Sequence, residues 1–256
     1  MKLTPIQIDL NHFPNEFHSL LNHAKLYDSS SSENAKVYFI DNDEGYFLKS
    51  AAQGTLQREA EMTRYFHQKG LATEVLSYIS TDKDWLLTRK VQGEDCVHRM
   101  HLSQPERLCD TLAEILLHLH QEDPTGCPVP NYTDKYLKRA KQNYIAGIFN
   151  TKRGLTSPQD AWNVVKKNCH LLKSDTLIHG DYCLPNIILK DWKFSAFIDV
   201  DHGGIGDRHI DIFWALWSLN YNLKTDRYNQ RFLDAYGPHL VNPEIFTLIS
   251  AIESFD

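Results

Sequence analysis

A chain of 256 residues, 42% hydrophobic and 23% charged, has the length and balance to bury a sizeable core as one large domain or two smaller ones. Its net charge of −6 argues against nucleic acid as the main partner, because phosphate binding wants a basic face. Five scattered cysteines with no CxxC pair argue against a disulfide framework or a zinc knuckle and fit reduced thiols in the cytoplasm, and no run forms a secretion h-region or approaches the ~18 apolar residues of a membrane span.

In chain order, the runs AKVYFI and GYFLKS, separated by the turn-rich DNDEG, predict a β-hairpin. TLQREAEMTRYFHQKG follows with Leu56, Met62, Tyr65 and Phe66 near helical spacing and Gly70 placed for a C-cap. EVLSYIS and DWLLTRK predict two further strands. VQGED, residues 91–95, reads as a connector. PERLCDTLAEILLHLHQ then carries one apolar stripe, Leu108, Leu112, Ile115, Leu116 and Leu119, with Pro105 near its start. The Pro- and Gly-rich DPTGCPVPN ends that helix. Residues 132–174 read mostly as helix with a loop near TKRGLTSP, residues 177–212 as β-rich, and IDIFWALWSLNY and PEIFTLISAIESF as closing helices. No internal repeat is present, and SSSS at 29–32 is the one low-complexity tract. The fold expected is therefore α+β: a small antiparallel β-sheet lobe over 1–90, the connector, and a larger, mainly helical lobe over 96–256.

The chemistry is concentrated in LIHGDYCLPNIILKDWKFSAFIDVDHGGIGDRHIDI, residues 177–212. Asp181 precedes Asn186 by five residues, and Asp199 follows Asn186 by thirteen. Phosphoryl transfer from ATP asks a protein for this set. One carboxylate orients or deprotonates the attacking hydroxyl, and oxygen donors hold Mg²⁺ against the phosphates. The Asp-x-x-x-x-Asn spacing equals that of a kinase catalytic loop. Such a site also needs a lysine on the strand-rich side and a helix glutamate to hold it. Lys49, ending YFLK, and Glu59, in LQREAEM, are the candidates. Taken one at a time these residues read blandly: a polar turn, a strand-end Asp, a solvated Lys, an exposed helix Glu. It is their combination that points to a site.

The chain resembles the aminoglycoside phosphotransferase family, especially its kanamycin kinase (3′-phosphotransferase) branch. AKVYFI, YFLK, REAEM, GCPVPN, HGDYCLPN, FIDVDHGGIGDRHIDI and the terminal IES-F carry the resemblance, in order, over most of the sequence. It implies a protein-kinase-like two-lobed fold, with ATP and Mg²⁺ as cofactors and a nucleotide and a small-molecule acceptor as partners, in a monomer or homodimer. It implies Asp181 as catalytic carboxylate, Asn186 and Asp199 as metal ligands, Lys49 on the ATP phosphates and Glu59 as its partner. His179 and Asp211 would brace the catalytic loop, backbone groups of Lys90 and Val91 would meet adenine, and Ser31 and Ser32 lie where the phosphate loop belongs. Aminoglycosides carry ammonium groups that need carboxylates, and Asp160, Asp201, Glu253 and Asp256 are the candidates.

Residues 122–178 carry nine Lys and Arg against five Asp and Glu, so weak or narrow aminoglycoside activity is expected. A protein kinase is disfavoured by length: eleven residues between Asp199 and Asp211 leave no room for an activation segment, and no APE motif follows. Two other readings stay open. One is a kinase of a macrolide, choline-like or sugar alcohol, which the basic insert favours. The other is a non-catalytic ATP-binding module, which retention of Lys49, Asp181, Asn186 and Asp199 disfavours.

Overall fold

The computed structural model describes residues 3–7, 9–30, 34–42, 44–153 and 155–256. The chain divides into two compact units, Met1–His98 with Ile187–Asp201, and Arg99–Asn186 with His202–Asp256. The first is sheet-rich and the second mainly helical, which is the expected α+β division. Among the described residues no helix is long and apolar enough to cross a membrane.

The sheet-rich unit is built on an antiparallel sheet of β1 (Thr4–Ile6), β2 (Lys25–Asp28), β3 (Ala35–Asp41), β4 (Tyr46–Ala52), β5 (Val75–Ser80) and β6 (Lys83–Arg89), in the order β1-β2-β3-β4-β6-β5. β3 and β4 form the expected hairpin, closed by Gly45 N–H donating to the Asn42 carbonyl at 2.8 Å. One core cluster gathers Phe13, Phe17, Leu21, Leu26, Ile40, Leu48, Trp85 and Leu87. Side chains alternate along a strand, so Leu48 facing this core sends Lys49 to the opposite face. On that face Ala51 packs with Leu56, Ala60 and Leu86, the contact that seats helix α1 (Gln57–Gln68). α1 ends at the expected cap: Gly70, at φ +72°, and Leu71 return their N–H groups to His67 and Phe66.

A buried carboxylate fixes the start of α1. Asp84 on β6 accepts from Leu56 N–H at 2.8 Å and from the Ser80 hydroxyl at 2.7 Å. Burial pushes its pKa up, but these donors, with the Gly54 N–H, outweigh burial and hold it below the usual carboxylate value.

The connector expected at 91–95 is itself structured. Glu94–Asp95 (β7) pair with Ile187–Lys190 (β8), which pair in turn with Lys193–Phe197 (β9). That pairing draws 187–201 into the sheet-rich unit, so this unit runs beyond residue 90 and is discontinuous in sequence. Two elements near the N-terminus, β1 and β2, were not anticipated, because their alternation is short and interrupted by polar residues.

The helical unit contains α2 (Pro105–Gln121), α3 (Tyr132–Ile145), α4 (Pro158–Asn168), α5 (Arg208–Leu223), α6 (Asn229–Tyr236) and α7 (Pro243–Glu253). The five stripe residues of α2 are all buried. α2 packs on α6 and α4 on α7. A two-stranded antiparallel ribbon pairs Thr176–Ile178 with Gly204–Gly206.

Replacing Asp84 with Ala should destabilise the protein by roughly 2–3 kcal/mol, because a helix cap is lost and a buried N–H is stranded. Urea denaturation measures this, and a loss below about 1 kcal/mol would mean that Asp84 does not anchor α1.

Candidate active site

The loop after Thr176–Ile178 is held by one buried carboxylate. Asp211, fully buried in the first turn of α5, accepts the N–H of His179 at 2.7 Å through Oδ2 and that of Gly180 at 2.7 Å through Oδ1. His120 of α2 donates to the same Oδ2 from Nε2 at 3.2 Å. Its Nδ1 accepts from the Tyr236 hydroxyl at 2.7 Å, which assigns the neutral tautomer. Burial, the largest cause, lowers the His120 pKa against the pull of Asp211.

His179 is fully buried and accepts from Asp181 N–H at Nδ1, 3.3 Å away. Gly180 sits at φ +82°, and a Cβ there would overlap the His202 carbonyl. No other residue type fits between His179 and Asp181. Tyr182 anchors the loop to α2 through its hydroxyl on the Leu112 carbonyl at 2.8 Å, and Leu184 N–H reaches Ser218 of α5 at 3.0 Å. Asn186 closes the loop: its Nδ2 donates to the Asp181 carbonyl at 3.0 Å and to Asp181 Oδ2 at 2.9 Å. The amide nitrogen is thus committed, and the amide oxygen is what Asn186 has to offer a cation.

Asp181 opens into a pocket of about 220 Å³ lined by Arg139, Gly180, Asp181, His202, Trp214, Glu253 and Asp256. Glu253 is buried and accepts from the Tyr136 hydroxyl at 2.5 Å. Burial and the neighbouring Glu253 carboxylate hold the Tyr136 pKa well above the phenol value, so that proton stays on Tyr136. The structure therefore gathers Asp181, Glu253 and Asp256 in one place. Asp160 is not with them. It is exposed in the first turn of α4, where the Ser157 hydroxyl caps its N–H at 3.2 Å.

In the sheet-rich unit, Lys49 donates from Nζ to both oxygens of Glu59, at 3.0 and 2.8 Å, and to Asp199 Oδ1 at 3.0 Å. Glu59 faces inward because it shares a helical face with Met62, Thr63 and Phe66, all buried. Burial opposes the charge on Lys49, but Asp199 and Glu59 together raise its pKa, so it stays protonated. Burial and the Asp199 charge push Glu59 up to about 7, against the pull of Lys49. With a bidentate contact to an ammonium at 2.8 Å, the ionised form of Glu59 is the paired one. Asp199 is held at φ +54°, a left-handed conformation uncommon for a residue with a side chain. The Asp201 carbonyl accepts from the Arg58 side chain.

Lys90 donates its N–H to the Gly45 carbonyl at 3.0 Å, which ties the start of the connector to the β3–β4 turn. Ser31 and Ser32 lie outside the described residues. Several participants were missed in the sequence. His120, Tyr236 and Ser218 look like ordinary core positions, and Arg139 looks like one more basic residue of a basic segment. Only the spacing of Tyr136 and Arg139, one helical turn apart, hinted at a pair.

His120 should make stability acid-sensitive. Its folded pKa lies below the ordinary histidine value of 6.5, so it contributes stability that is present above that pH and lost as pH falls through the folded value. Thermal unfolding of the protein and of His120→Gln, followed from about pH 7 to about pH 5, should show the gap between them narrowing as pH falls. A gap that stays constant contradicts the assignment.

Comparisons with known proteins bear on the family and the fold. The model of the phosphotransferase enzyme family matches residues 27–246. A probable aminoglycoside 3′-phosphotransferase of Lactococcus lactis subsp. lactis is 45% identical over 260 residues, covering 99% of this chain and 98% of that one. An aminoglycoside 3′-phosphotransferase of Niallia circulans is 30% identical over 158 residues, 60% of each chain. Among solved structures, an aminoglycoside-3′-phosphotransferase of type VIII superposes with a TM-score of 0.79 at 21% identity, covering 96% of both chains. A Streptomyces rimosus aminoglycoside phosphotransferase in complex with ADP and streptomycin superposes with a TM-score of 0.72 at 19% identity, covering 97% of this chain and 99% of that one. These likenesses make the fold the protein-kinase-like one. From the family match over most of its length and the full-length relative, the chain belongs to the phosphotransferase enzyme family.

Proposed function

We propose that the protein transfers the γ-phosphate of ATP to a hydroxyl of an aminoglycoside, in the manner of a 3′-phosphotransferase. The observation that carries this reading is the pocket around Asp181, where a carboxylate on a braced loop shares about 220 Å³ with two further acids, Glu253 and Asp256. A hydroxyl beside Asp181 and an ammonium group beside the other two is the pattern an aminoglycoside presents. The full-length relative named for that activity supports the same reading.

Each residue then has a task. Asp181 orients the acceptor hydroxyl and takes its proton as the new O–P bond forms and the bond to the β-phosphate oxygen breaks. Asn186 holds the Asp181 carboxylate from one side, while Asp211 and His179 fix the loop that carries it. Lys49 holds ATP phosphates, and Glu59 keeps that ammonium in place. The Lys90 carbonyl and Val91 N–H meet adenine. Asn186 and Asp199 suit Mg²⁺ by donor type, an amide oxygen and a carboxylate, both hard oxygen ligands. When bound, such an ion neutralises phosphate charge and orients the transferring group. Five free thiols and the use of ATP fit the cytoplasm as the place of action, and antibiotic resistance as the consequence.

The test is ADP release with kanamycin as acceptor. Wild type should turn it over, and Asp181→Asn should lose about 10²–10⁴ in kcat while binding ATP nearly as wild type does. Release of ADP with a neutral alcohol and with no aminoglycoside would favour a kinase of another small-molecule alcohol. Lys49→Met should show the opposite split, with ATP binding weakened about tenfold or more because a charged hydrogen-bond donor to phosphate is lost. Unchanged ATP affinity in that variant contradicts the role given to Lys49.

A further inference from the structure

The pocket around Asp181 holds one cation of its own. Arg139 of α3 lines it together with the three carboxylates. Its guanidinium lies 3.5 Å from Asp256 Oδ1 and over the Tyr136 ring, 5.7 Å from the centroid. Tyr136 in turn donates to Glu253. The two acids that would receive an acceptor's ammonium groups are therefore engaged within the protein, Asp256 by an ion pair and Glu253 by a phenol.

These two engagements differ in kind. A phenol hydrogen bond leaves Glu253 its charge, which Arg139 also feels, though less strongly than that of Asp256. The ion pair, between side chains 35% and 45% exposed, offsets part of the Asp256 charge, and the guanidinium also repels any second ammonium entering the pocket. An acceptor ammonium that is to use Asp256 has to displace Arg139 first.

We propose that Arg139 is a specificity-determining residue, a built-in counter-ion that masks Asp256 and restricts the acceptor to molecules carrying few ammonium groups near the reacting hydroxyl. The inference rests on the aminoglycoside reading above and adds to it the feature that narrows the substrate range. Arg139 does not touch the reacting atoms in this account; it acts by occupying Asp256.

The test is a double-mutant cycle with kanamycin, using Arg139→Gln, Asp256→Asn and the two combined, at low and high salt. Gln keeps a polar side chain of similar length on α3, so the fold is the least disturbed. Arg139→Gln should lower KM about tenfold, the scale of one released charge-assisted contact, with kcat near wild type. The gain should shrink at high salt. In the Arg139→Gln background, Asp256→Asn should abolish the gain. An unchanged or raised KM in Arg139→Gln overturns the inference, as does a gain that persists without the Asp256 charge. Turnover of kanamycin by wild type separates these failures from a failure of the functional reading: if no aminoglycoside is phosphorylated by wild type or variant, that reading falls and this inference with it.

Discussion

The loop that carries Asp181 depends on the carboxylate of Asp211. A loop that must present a side chain to solvent has backbone N–H groups with no partner in a helix or sheet. Asp211 takes two of them, His179 and Gly180, one on each oxygen. A third donor, His120, completes its coordination from α2. A fully buried carboxylate is tolerated only when its charge is met by donors, and here three donors meet it. The arrangement is therefore mutual. The loop satisfies the buried acid, and the acid gives the loop one conformation. The tight fit of Gly180 against the His202 carbonyl follows from the same closeness.

In the sheet-rich unit the corresponding constraint is the ammonium of Lys49. Two carboxylates, one nearly buried and one half-exposed, converge on it. Desolvation would drive Lys49 neutral and Glu59 protonated if either stood alone. Asp199 and Glu59 together keep Lys49 charged, while burial still pushes Glu59 up against the pull of Lys49. The positive φ of Asp199 belongs to this arrangement, since strain at one residue is sustained where the surroundings over-determine its position.

Much of this was legible in the sequence, for identifiable reasons. Asp181, Asn186 and Asp199 stood out because polar residues of fixed type interrupt apolar runs, and the α2 stripe because five leucines and isoleucines keep one helical period. Lys49 and Glu59 carry no signal in their own surroundings and become legible only beside the downstream Asp181, Asn186 and Asp199. The pairing of Glu94–Asp95 with Ile187–Lys190 was not legible, because a two-residue strand has no period and its partner is about ninety residues away. The hairpin between β8 and β9 turns through Asp191 and Trp192, both at positive φ, where Asn-Gly or Asp-Gly would have been the readable signal. His120 was opaque for another reason. A histidine on an apolar helix face does not announce which buried acid, ninety-one positions later, it will meet.

Around the Asp181 pocket, charge in space differs from charge along the chain. Residues 122–178 are net positive, and that excess argued against a polycationic acceptor. The fold sorts those charges by position. Lys135, Lys138, Lys141, Lys152, Lys166, Lys167 and Lys173 are all exposed, where a lysine is a solvated charge screened by salt. Among the basic side chains described in that segment, Arg139 is the one that lines the pocket. Against it stand Asp181, Glu253 and Asp256, two of them from the far end of the chain. The charge lining the pocket is therefore net negative, although segment 122–178 as a whole is positive. What decides binding is the charge within a few ångströms of the ligand, where screening is weakest, and that quantity belongs to the pocket and not to the segment.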